Sequence, residues 1–108
     1  MKLTTFLVAS GLAMGTLGIG VATAALTHTV GQTDKAFDTK KLTVSVGDTV
    51  LFVNNDDVKH NVMVKKLGIN TGLQDPGAEA SVTFDKAGKF KVRCGIHPKM
   101  KITVTVEG

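Results

Sequence analysis

The stretch Lys89-Phe90-Lys91-Val92-Arg93-Cys94-Gly95-Ile96-His97-Pro98-Lys99-Met100-Lys101-Ile102-Thr103-Val104-Thr105-Val106 carries two alternating patterns joined by a short loop. Phe90, Val92 and Cys94 share one parity, and Lys89, Lys91 and Arg93 the other. Beyond the loop, Met100, Ile102, Val104 and Val106 oppose Lys99 and Lys101. Period-two alternation of this kind marks strands with one face in a core and one in water. Strands are therefore expected over Lys89–Arg93 and from about Met100 to Val106. Both Cys94 and Met100 point inward where their strands meet the loop.

The same reading extends upstream. Leu42, Val44 and Val46 alternate with polar residues, and Gly47-Asp48 turns the chain into a strand over Thr49–Val53. Asn54–Asp57 reads as a loop, and His60–Val64 as a strand with His60, Val62 and Val64 on one face. Leu67–Gly77, with Gly68, Gly72 and Pro76-Gly77, reads as a turn-rich connection. Ser81–Phe84 is a short strand. Leu26–Asp38 reads as an opening strand or loop. No helical pattern appears beyond the first residues. The expectation is an all-β domain over residues 25–108, a sandwich of about 6–8 strands.

Residues 1–24 differ in kind. Lys2 precedes an uncharged run of apolar and small residues, and Ala22-Thr23-Ala24 closes it. That is the pattern of a secretory leader cleaved after Ala24, which places the mature chain in the periplasm without a membrane span. An uncleaved anchor facing the same compartment is the alternative, since the run is long enough to cross a bilayer. The net charge of +4, with neither Trp nor Tyr, does not suggest a nucleic-acid partner.

An exported chain with one cysteine forms no internal disulfide, so Cys94 needs another role. His97 and Met100 follow it in one loop, and the strand parities bring His60 to the same end of the sandwich. Two imidazoles, a thiolate and a thioether form the donor set of a trigonal copper site that exchanges single electrons. The sulfur donors favour Cu(I), and the imidazoles suit both oxidation states. A zinc site would use Cys94, His60 and His97 but gain little from a thioether. Met63 lies on the opposite parity from His60 and reads as packing. His28 reads as a surface residue near the mature N-terminus; cleavage after Ala25 would allow a square-planar Cu(II) site there.

The segments Asp56-Asp57-Val58-Lys59-His60-Asn61-Val62 and Cys94-Gly95-Ile96-His97-Pro98-Lys99-Met100 resemble the cupredoxins of the plastocyanin and pseudoazurin group. The short Cys-x-x-His-x-x-Met loop is most similar to that of amicyanins, and Val46-Gly47-Asp48-Thr49-Val50 resembles the family's strand-turn-strand. Lys59 stands where amicyanin-like sequences have Pro. The resemblance implies a Greek-key sandwich with one copper ion held by His60, Cys94, His97 and Met100. It implies that Asn61 ties the two ligand loops together and that His97 is the partly exposed electron port. It further implies a monomeric carrier, not an enzyme, shuttling electrons between a redox donor and acceptor. Lys89, Lys91, Arg93, Lys99 and Lys101, all on outward parity, would suit an acidic partner surface. A copper-delivery protein is the alternative, for which exposed Met/His clusters would be expected.

Overall fold

A computed structural model describes residues 24–108. The expected leader therefore lies outside the described residues, apart from Ala24. Among the described residues, no helix is long and apolar enough to cross a membrane.

Nine strands follow in chain order: β1 Thr27–Thr33, β2 Ala36–Phe37, β3 Lys41–Ser45, β4 Thr49–Asn54, β5 His60–Val64, β6 Ile69–Gln74, β7 Glu79–Thr83, β8 Gly88–Cys94 and β9 His97–Glu107. They form a four-stranded sheet, β2-β1-β4-β7, and a five-stranded sheet, β3-β9-β8-β5-β6. The chain crosses repeatedly between sheets, giving the crossed connectivity of the expected Greek-key sandwich. Two neighbouring pairs, β1 with β4 and β3 with β9, run parallel, and the rest run antiparallel.

The inward residues of each strand make one core. Val30, Val50, Phe52 and Val82 come from the four-stranded sheet, and Val62, Val64, Phe90, Val92, Ile102 and Val104 from the other. Phe37 meets Phe52 edge-on at 5.8 Å between centroids. Such aromatic pairs add modestly to the area they bury.

Two differences from the expected strands bear on the site. The stretch 67–77 contains β6, an edge strand paired with β5 across a bulge between Asn61 and Met63. Its residues are mostly exposed or half-buried, so no apolar alternation announced it. With the two-residue β2, this brings the count to nine, just above the expected range.

The last strand begins at His97 rather than near Met100. Cys94 pairs with His97, and the next rung joins Arg93 to Lys101. Pro98, Lys99 and Met100 therefore bulge from β9 with nothing opposite them on β8. Proline, lacking an N–H to donate, fits such a place.

Candidate metal centre

His60 opens β5, Cys94 closes β8 and His97 opens β9, so three strand ends deliver three donors to one end of the sandwich. His60 and Cys94 are fully buried, while His97 is partly exposed. The two Nδ1 atoms stand 3.1 Å apart, and Cys94 Sγ lies 3.7 Å from each. The imidazoles meet edge to face at 4.8 Å between centroids. Metal–nitrogen and metal–sulfur bonds of about 2.0 and 2.3 Å would place three donors around one ion at about these separations. The donor set and its spacing fit a single copper ion.

The other ring nitrogen of His60 has a partner of its own. His60 Nε2 donates to Asp56 Oδ2 at 2.9 Å, which leaves Nδ1 free to ligate. Asp56 is held in turn by the backbone N–H of Lys35, which donates to the same oxygen at 2.8 Å, and by that of Asp57 on Oδ1. The Lys35 amide, then the His60 ring, hold the Asp56 carboxyl well below its ordinary range, so it is ionised at neutral pH. Asp34 and Lys35 both take positive φ, 52° and 57°, in the tight β1–β2 turn that aims this amide. Asp56 thus joins the centre from a stretch that sequence patterning read only as loop. Its place four residues before His60 was the one available signal.

Asn61 sits as the resemblance implied. Its backbone N–H donates to Cys94 Sγ at 3.4 Å, and its side-chain oxygen accepts from the Gly95 N–H. Gly95 cannot carry a side chain without disturbance, because a Cβ there would come within 2.7 Å of Met63 Sδ and 3.2 Å of the Asn61 amide. Met63 therefore packs against the ligand turn.

Comparison with known proteins follows the same lines. The profile of the copper binding proteins of the plastocyanin/azurin family matches residues 24–107. The chain belongs to that family. It is 32% identical over 76 residues to an amicyanin of Paracoccus denitrificans, a match covering 66% of this chain but 58% of that one. A plastocyanin of Scenedesmus fuscus is 31% identical over 84 residues, covering 66% of this chain and 86% of the relative. A solved structure of a reduced amicyanin variant superposes with a TM-score of 0.71 at 33% identity, covering 81% and 86% of the two chains. A copper-containing nitrite reductase from Thermus scotoductus also matches, at 30% identity and a TM-score of 0.69, but over only 25% of its length.

For this member of the copper-binding family the cofactor is one copper ion, and the three converging donors form its site. Met100 is buried at the same end of β9, in the bulge that follows His97. His28 is not a free surface residue. Its Nε2 bonds Asp48 Oδ2 at 2.9 Å and its side chain is 24% exposed, because β1 pairs along β4 and lays it against the β3–β4 turn. The outward parity of Lys89, Lys91, Arg93, Lys99 and Lys101 holds: each is exposed.

Proposed function

We propose that this chain is a small exported blue-copper carrier of single electrons, its ion held by His60 Nδ1, Cys94 Sγ and His97 Nδ1 with Met100 as a weak axial ligand. The observation that carries this reading is the meeting of two Nδ1 atoms and one thiol sulfur within 3.7 Å at one end of the sandwich. Bound there, copper supplies a one-electron Cu(I)/Cu(II) couple. The protein's part is to hold its donors still. Buried strand ends fix His60 and Cys94, Asp56 orients the His60 ring, and Asn61 locks the Cys94 turn. Donors that do not move between oxidation states keep the reorganisation barrier low.

The partly exposed His97, flanked by exposed Ile96 and Pro98, is the one of these four residues that reaches solvent. Four protein donors leave no position for a substrate, so the role is transfer rather than catalysis. The leader-like residues 1–24 support a periplasmic place of work, with redox proteins as donor and acceptor.

The test is a visible and spin-resonance spectrum of the purified chain after addition of one equivalent of Cu(II). An intense band towards the red end of the spectrum, lost in Cys94→Ser, is expected. A colourless complex, or a band that survives removal of the sulfur, would refute the assignment.

A further inference from the structure

The described residues include two methionines, and they differ in access. Met100 is 1% exposed at the copper end of β9, whereas Met63 is the one residue of β5 that the sandwich does not bury. Met63 lies on the outer face of the five-stranded sheet, in register with Arg93 on β8. Its thioether rests on the ligand turn. The room that a Gly95 side chain would take is filled by Met63 Sδ, 2.7 Å from where its Cβ would be. The Asn61 amide borders the same spot, at 3.2 and 3.3 Å. The oxygen of that amide accepts from the Gly95 N–H, while its nitrogen makes a long bond, 3.4 Å, to Asn70 Oδ1.

Solvent reaches this sulfur through an open groove of about 680 Å³, walled by Lys65, Lys66, Lys89, Lys91 and Arg93. No acidic residue lines it, and among the described residues none of these cations takes part in a salt bridge. Uncompensated positive charge in a cleft concentrates small anions and holds off cations. A copper ion in transit is therefore the wrong visitor for this thioether. An anionic oxidant is the right one, because sulfur side chains are what such reagents attack. Of the three sulfurs in the described chain, Cys94 is 0% exposed and Met100 1%, which leaves Met63 as the accessible one.

We propose that Met63 is a reversible oxidation site for anionic oxygen-atom donors, and that its sulfoxide lowers the potential of the copper centre through Asn61 and Gly95. The inference rests on the carrier reading above and adds a regulator to it. In the step, one oxygen atom passes from the donor to Sδ. An S–O bond forms, the donor's O–O or O–Cl bond breaks, and Sδ supplies the two electrons that leave with the departing anion. Peroxymonosulfate leaves as hydrogen sulfate and hypochlorite as chloride, with no proton lost from the protein. The product is polar where the thioether was apolar. A dithiol-dependent sulfoxide reductase reverses it, the oxygen leaving as water while the dithiol becomes a disulfide. The new oxygen is an acceptor set against the Asn61 amide nitrogen. Turning that amide towards it takes the amide oxygen off the Gly95 N–H. This loosens the backbone that brings the Asn61 N–H to Cys94 Sγ at 3.4 Å. A thiolate that loses a donor gives more charge to copper, which favours Cu(II).

The experiment treats the Cu(II)-loaded protein with peroxymonosulfate, and separately with neutral hydrogen peroxide. Peptide mass spectrometry reads the sulfoxide at Met63 and at Met100, and voltammetry reads the potential before and after. Met63 should be oxidised at least about tenfold faster than Met100, since susceptibility follows exposure. The blue band should persist while the potential falls. Lys66→Glu/Lys91→Glu should slow the anionic oxidant about tenfold at low ionic strength and leave the peroxide rate unchanged. Met63→Leu should keep the parent's potential and show no response to either reagent. Met63→Gln, with a fixed polar group where the sulfoxide would stand, should show the lowered potential without any oxidant. Equal oxidation of the two methionines, a peroxymonosulfate rate indifferent to the charge reversal, or a Met63 sulfoxide that leaves the potential unmoved overturns the inference. A chain with no blue band before oxidant is added overturns the carrier reading, and with it any effect on a potential. The sulfoxide masses are read in either case, which separates the two failures.

Discussion

At the centre of the site, the charge nearest the donors other than the thiolate belongs to Asp56, 2.9 Å from His60 Nε2. A negative charge there stabilises Cu(II) over Cu(I) and strengthens the imidazole as a donor. Asp56→Asn should keep the fold and the blue colour, raise the reduction potential, and weaken copper binding by about 10- to 100-fold. Voltammetry and a competitive chelator titration check it; an unchanged potential removes Asp56 from the electrostatics of the site. Met100→Leu should behave differently, shifting the potential while retaining the ion, because the axial thioether bond is long and weak. The three converging donors, and Met100 as the expected fourth, could be read from residue type and position, since Cys94 closes one alternating run and Met100 opens the next. Asp56 could not, because the contact depends on where the β1–β2 turn presents the Lys35 amide. No local pattern encodes the meeting of two turns 21 residues apart.

Among the elements, the β3–β4 turn ties the two sheets to the start of β1. Asp48, almost fully buried, accepts from the backbone N–H of Leu26 and of Ser45 and bonds the His28 ring. The Leu26 amide, then His28 and the Ser45 amide, lower its pKa to about 2 from 3.8. Because the folded value lies below the unfolded one, the contribution is full above about pH 4 and is lost as pH falls through 2. The metal-free protein should lose stability across that window, and Asp48→Asn should be weaker at neutral pH with a flatter acid limb. Urea midpoints at pH 5 and pH 2.5 for both chains test this. Equal acid sensitivity in the two would assign it elsewhere. The strands β8 and β9 were plain from Lys89–Arg93 and Met100–Val106, where burial alternates cleanly. β6 was not, because an edge strand with Gly72 at φ 78° fully buries only Gln74 and so shows no apolar pattern.

For the whole molecule, a sandwich of this size stands on one thin core, and Phe52 lies fully buried within it against Phe37. Phe52→Ala should cost about 3–5 kcal/mol, a large part of what so small a domain has in reserve. Denaturant unfolding of the metal-free chain measures it. Copper should restore part of the loss, because an ion bound only by the folded state stabilises by mass action. A midpoint indifferent to copper would mean that the unfolded chain binds it equally well.

The unopposed residues Pro98–Met100 separate two adjustments that a simple loop would couple. Cys94 and His97 already share a rung of the ladder, so their spacing is set by strand pairing. Whatever is inserted or removed after His97 is taken up by the bulge on one strand alone. His60, Cys94 and His97 would then behave as a fixed frame for the ion, and the Met100 sulfur, if it ligates, as a slider on it. One glycine inserted after Pro98 should leave the blue band in place while the potential moves, and voltammetry beside the visible spectrum would show the two properties shifting independently. The length of this bulge is then a dial by which chains of one fold can be tuned to partners of different redox poise without rebuilding the centre.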